Sequence, residues 1–159
     1  MNDEQIKISV FNWGPCVLKL KIKEEFRKLL LKEGKNNVED YTSKLAGILD
    51  KETGYGELSK NKALPYLSQY IGVYEQAYNK WFNKPEVKKS EYVLSALWIN
   101  YQKPNDYNPP HDHDGAISFV IYLSIPDKLK KEHREYMGKS CGPGGIQFIY
   151  GNGPRNCIT

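Results

Sequence analysis

The spacing of apolar residues changes at Tyr92, and this change restricts the chain to an α+β fold with helices first and strands after. Upstream, Glu24-Glu25 open a short helix bearing Phe26, Leu29 and Leu30, with its acidic residues at the favoured end. Residues 34–37 are expected to break it. Asn37 can cap a second helix carrying Val38, Tyr41, Leu45 and Leu49. Gly54 and Gly56 mark a loop. A longer helix is predicted over about residues 63–82, with Leu64, Leu67, Ile71, Tyr74, Tyr78 and Trp81 on one face. Core packing against a sheet accounts for that stripe. Residues 6–10 and 16–22 each read as a strand, with Gly14-Pro15 as the turn between them.

Downstream, residues 92–101 read as a strand with two largely apolar faces, and residues 104–110 as a loop. Residues 116–125 read as a clear strand. Its greasy face carries Ile117, Phe119, Ile121 and Leu123. Its other face carries Ala116, Ser118, Val120, Tyr122 and Ser124, small or hydroxylated for the most part, as in a barrel wall lining a polar pocket. Pro126 ends it. Residues 127–137 are expected to form a charged surface helix or excursion. Gly142-Pro143-Gly144-Gly145 is a tight turn before a last strand over residues 146–150.

Between loop and strand lies His111-Asp112-His113-Asp114-Gly115. Imidazoles one residue apart on an extended backbone point to the same side and can take one metal ion together. Imidazole suits iron, zinc and copper, and an open site needing one more ligand is what oxygen-activating iron enzymes use. Asp112 and Asp114 stand as ligands or as acceptors fixing the imidazole tautomers. A cupin site would want a glutamate four or five residues after the second histidine, where Ile117 and Ser118 stand. His133, in the charged excursion, is expected to be solvated rather than to be the third ligand.

The chain has 159 residues, enough for one domain with a real core. Its net charge of +4 is mild, and the lysines follow the predicted helices without a basic stripe of interleaved aromatics, so no nucleic acid is expected as partner. The absence of a long apolar run or a signal-like N-terminus leads to the expectation of no membrane association and a cytoplasmic home. Cys16, Cys141 and Cys157 are odd in number and widely spaced, so no disulfide framework and no structural zinc site is expected.

Three stretches together carry a resemblance: Ser95-Ala96-Leu97-Trp98-Ile99-Asn100, Asn108-Pro109-Pro110-His111-Asp112-His113, and Ser118-Phe119-Val120-Ile121-Tyr122-Leu123-Ser124-Ile125-Pro126. With the Gly142-Pro143-Gly144 turn, Ile146-Gln147-Phe148-Ile149-Tyr150-Gly151 and the Gly14-Pro15 opening, the chain resembles prolyl-hydroxylase-like 2-oxoglutarate- and Fe(II)-dependent oxygenases of marine bacteria and phages. The resemblance covers most of the chain and is sharp over about residues 95–151. It implies one domain over residues 1–159, with a double-stranded β-helix (jelly-roll) core over about 91–151 and supporting helices over about 23–83. It implies a dioxygenase, a hydroxylase of a peptidyl or small-molecule substrate, in a bacterial cell or phage-infected host. Fe(II) would sit on His111, His113 and a distal histidine. 2-Oxoglutarate would be co-substrate with dioxygen. Tyr122 and Ser118, on one strand face, and Asn100 on the neighbouring strand are candidates to bind the co-substrate carboxylate.

The family's distal histidine, and the arginine that pairs with the far carboxylate of 2-oxoglutarate, belong after the Phe148 strand. No histidine follows His133, and Arg155 has no preceding histidine to mark it for that role. The simplest expectation is a C-terminally incomplete jelly roll, which leaves open that this chain is inactive alone. A second copy could complete the site as a homodimer. The alternative from another class is a non-catalytic jelly-roll fragment or interaction module with a residual metal site.

Overall fold

The computed structural model describes residues 14–36, 39–40, 51–84, 91–150 and 154–158. Among these residues three helices and five strands follow in the order α1 (Glu24–Asn36), β1 (Glu39–Asp40), β2 (Glu52–Gly54), α2 (Glu57–Trp81), β3 (Trp98–Asn100), α3 (Asp127–Glu135), β4 (Ile146–Ile149) and β5 (Pro154–Ile158). β1, β2 and β3 form an antiparallel sheet with β2 central, and β4 and β5 pair antiparallel as a second sheet. Among the described residues the strands form these two small sheets and not a closed jelly roll. No helix there is long and apolar enough to cross a membrane.

α1 begins where Glu24 and Glu25 meet the positive end of the helix. Arg27 clasps Glu24 through two contacts, Nε to Oε2 at 2.7 Å and Nη2 to Oε1 at 2.6 Å. Phe26, Leu30, Glu33 and Gly34 are buried, a spacing that puts one face against the core. The expected break at Gly34 does not occur. An added Cβ there would meet Cδ1 of Ile99 at 2.9 Å and the Tyr55 hydroxyl at 3.0 Å, so glycine serves the close approach of sheet to helix. Of the second helix foreseen after it, Asn37, Val38 and residues 41–50 lie outside the described residues. Glu39 and Asp40 form β1, paired with β2.

α2 starts earlier than the apolar period suggests, with Gly56 as N-cap and Glu57 in the first turn. It runs on through Pro65, which lacks the N–H for one i→i−4 bond. Its buried residues are Ser59, Ala63 and Leu67. Tyr66 and Tyr70 also pack on the core, and Phe26 stacks with each, at centroid distances of 4.8 and 6.0 Å. The packed face is therefore rotated from the expected stripe, and Trp81 at its far end is 42% exposed. The core joins Phe26, Leu30, Tyr55, Ala63, Leu67, Leu97 and Ile99. Inside it the Tyr55 hydroxyl donates to the Leu30 carbonyl at 2.8 Å. At its edge, Glu33 accepts from Ser59 at 2.7 Å and from Lys62 at 2.8 Å.

The expected strand over residues 92–101 is regular only at β3. Flanking bonds from Tyr55 N–H to the Leu97 carbonyl at 2.9 Å and from Tyr101 N–H to the Lys51 carbonyl at 3.1 Å lengthen its pairing with β2. It is not buried on both sides, since Val93 is 91% exposed. Residues 16–22 and 116–125 form no ladder among the described residues, although both were expected to be strands. Alternation survives in the second of these, because Ile121 and Leu123 pack on the core while Tyr122 stays outside. Arg27 Nη1 donates to the Leu123 carbonyl at 2.8 Å and ties that segment to α1. Pro126 caps α3, and the Gly142–Gly145 turn closes through a 3.2 Å backbone bond before β4.

Candidate metal centre

Pro109 and Pro110 restrict the backbone ahead of the histidines, because proline fixes its own φ and disfavours helix in the residue before it, and the chain bends at Pro110. Gly115, at a φ of 100°, ends the segment in a conformation that side-chain-bearing residues rarely adopt. Between these limits the two imidazoles turn to one side. Their Nε2 atoms are 3.0 Å apart, and the rings meet edge to face at a centroid distance of 4.6 Å.

The tautomer of His111 follows from its other nitrogen. Nδ1 lies 2.7 Å from the Pro109 carbonyl, which can only accept, so Nδ1 carries the proton and Nε2 keeps its lone pair. Without metal, the His113 Nε2–H donates to that lone pair. The spacing also suits a shared ion. Two nitrogens each about 2.1 Å from one cation, and at right angles around it, stand about 3.0 Å apart. The backbone carbonyl is the outer support that metal-bound histidines usually have.

His113 stacks on Trp98 at 6.0 Å and 30°, which seats the histidine pair over the β1–β2–β3 sheet. The register pairs Glu52 with Asn100 and Gly54 with Trp98. Paired residues and those two apart share a face, so Glu52, Trp98 and Asn100 stand together, opposite the Ile99 face that enters the core. Asn100 Oδ1 is buried and receives no hydrogen bond among the described residues. Glu52 is 1% exposed. Burial pushes its carboxyl up from the ordinary carboxylate range.

Of the residues expected at the site, His111 and His113 come together, and Asn100 lies on the strand and face of the Trp98 that holds them. Tyr122 is engaged elsewhere. Its hydroxyl donates to the Gly144 carbonyl at 3.1 Å, and burial pushes it above the usual tyrosine range. Ser118 is exposed, as are Asp112 and Asp114. His133 is not simply solvated: half-buried on α3, it places Nδ1 2.9 Å from the Pro143 carbonyl. Arg155 lies on β5, where the chain is described by its backbone pairing. Among the described residues, no group of three or more His, Cys, Asp and Glu stands ready to hold a metal ion.

Two features escaped sequence reasoning. Glu52 sits in a stretch that reads as a glycine-marked loop, and nothing local signals that β1 and β3 enclose it. Cys141 is disulfide-bonded, against the expectation drawn from cysteine number and spacing, while Cys16 carries a free thiol. An odd count hides a pair whenever one cysteine stays reduced.

Comparison of the chain with protein-family models, with curated proteins and with solved structures yields no match.

Proposed function

We propose that this chain is a 2-oxoglutarate- and Fe(II)-dependent oxygenase-like domain, with His111 and His113 as its iron-binding pair. The observation that carries the reading is the 3.0 Å separation of the two Nε2 atoms, with His111 already held in the metal-binding tautomer by Pro109. His111 and His113 would hold Fe(II), which with 2-oxoglutarate and dioxygen would supply an oxidative decarboxylation to succinate and carbon dioxide, one oxygen atom entering succinate and the other the substrate. The chain's own residues do the rest. Trp98 fixes the His113 ring and shields one side of it from water. Asn100 offers a buried amide to a bound carboxylate or water. Tyr122 and Ser118 remain candidates for the co-substrate carboxylate, Tyr122 on release of its bond to Gly144.

The jelly-roll core belongs to the same proposal. Residues 91–97 and 116–125 are the walls that would pair in it. A peptidyl or small-molecule substrate would be selected by loops such as residues 103–107, where Asp106 Oδ2 accepts from the Lys103 N–H at 2.8 Å. The disulfide of Cys141 counts against the cytoplasmic setting expected from the sequence, because disulfides persist mainly in oxidising compartments.

The test is succinate release from 2-oxoglutarate under air with added Fe(II). Turnover is expected from the wild-type chain and should vanish in the His111→Ala/His113→Ala variant. Iron binding without turnover in the wild type would favour the non-catalytic module, for which the lack of a ready three-donor group among the described residues speaks.

A further inference from the structure

We propose that the Gly142–Gly145 turn is a redox-sensitive switch. The disulfide of Cys141 holds the turn where it engages the Tyr122 hydroxyl and the His133 ring, and reduction releases both. Cys141 directly precedes the turn and is disulfide-bonded and half-buried, within reach of a small thiol. It also touches the far end of the turn, since a Cβ on Gly145 would lie 2.7 Å from the Cys141 Cβ and from its carbonyl oxygen. Two carbonyls of the turn are taken up by side chains from other parts of the chain. Pro143 accepts from His133 Nδ1 at 2.9 Å, and Gly144 accepts from the Tyr122 hydroxyl at 3.1 Å. The turn is wedged against α3 and the residue that ends it. A Cβ on Gly142 would meet Cδ1 of Tyr136 at 3.0 Å, and one on Gly144 would meet Cδ2 of Leu129 at 2.9 Å. One cystine thus anchors the point where α3 and the 116–125 segment meet.

The turn is built to move once that anchor is cut. Gly142 and Gly144 have φ of 75° and 72°, and glycine crosses between such conformations and their mirror images at little cost. The turn's own backbone closure is the single 3.2 Å bond from Gly145 N–H to the Gly142 carbonyl. Displacing the Pro143 and Gly144 carbonyls by about 1 Å takes both side-chain bonds out of hydrogen-bond range. Accessible disulfides are also the ones that thiols reduce most readily. A dithiol carries out the step. One thiolate attacks a sulfur of the cystine, breaking the S–S bond and forming a mixed disulfide. The second thiolate then displaces the protein sulfur. The protein gains two electrons and two protons, and the reductant leaves as its own disulfide. The switch stands apart from the iron reading. On that reading, it would free Tyr122 for the co-substrate carboxylate in the reduced protein alone.

The test uses the full chain with 13C-labelled tyrosine rings, observed by NMR before and after dithiothreitol, with thiol titration as the check on reduction. The Tyr122 resonance is identified as the one missing from Tyr122→Phe. It is expected to shift on reduction, to take the same new position in Cys141→Ser, and to return on reoxidation, while the core Tyr55 resonance stays in place. The His133 ring nitrogens should shift with it. If Cys141→Ser fails to fold, reduction and reoxidation of the wild type carry the test. A Tyr122 resonance unmoved in the fully reduced chain overturns the proposal. So does a disulfide that resists excess dithiothreitol in the folded chain, or a reduction that shifts Tyr55 and Tyr122 alike, since the bond would then be a staple of the whole fold.

Discussion

Tyr55 shows how one residue can serve packing and polarity together. It is 2% exposed, and its hydroxyl donates to a helix carbonyl rather than to water. Burial holds that hydroxyl well above the ordinary tyrosine range, so it stays neutral in the folded protein. An unfolded tyrosine ionises near about pH 10, so above that value the unfolded chain sheds a proton that the folded chain retains. The stability due to this group is therefore complete below about pH 10 and falls as the pH rises further. Tyr55→Phe is expected to cost about 1 kcal/mol at neutral pH. It should also flatten the alkaline loss, as read by urea melts between about pH 7 and 11. An equally steep alkaline limb in the variant would move its origin to other tyrosines, such as Tyr74 and Tyr122, which are also raised.

Among the elements, the contact of α1 with the three-stranded sheet sets where the site can be. Gly34 lets Ile99 approach α1, and Ile99 holds β3 so that Trp98 and Asn100 face the other way. An alanine in a helix normally stabilises by about 1 kcal/mol over glycine. Here the added methyl meets Ile99 and the hydrogen-bonded Tyr55 hydroxyl, and overpacking is expected to win by about 1–3 kcal/mol. Chemical denaturation of Gly34→Ala checks this, and a gain in stability would show that the contact is loose. The same elements mark what the sequence allowed to be read. Glu24-Glu25 and the charged run before Met137 carry strong local helix signals, and both became helices. The Gly142–Gly145 turn and β4 were legible for the same reason. Gly34 misled because its cause is a residue far along the chain. β1 and β2 were hidden because strands this short have no period to detect. At the site, His-x-His was visible as a local pattern, whereas the stacking of Trp98 on His113 joins two segments that no local period connects.

For the whole molecule, α1, α2 and β3 share one core, while β4 and β5 pair as a separate sheet. On the proposed function, His111 and His113 bind Fe(II) in a site that accepts 2-oxoglutarate. An anaerobic Fe(II) titration with and without 2-oxoglutarate tests it most directly, through the visible charge-transfer band of a chelated 2-oxo acid on iron. A saturable band is expected in the wild-type chain and should be lost in His111→Ala/His113→Ala. Unchanged Fe(II) affinity in that variant, or wild-type iron binding with no band at saturating 2-oxoglutarate, would contradict it.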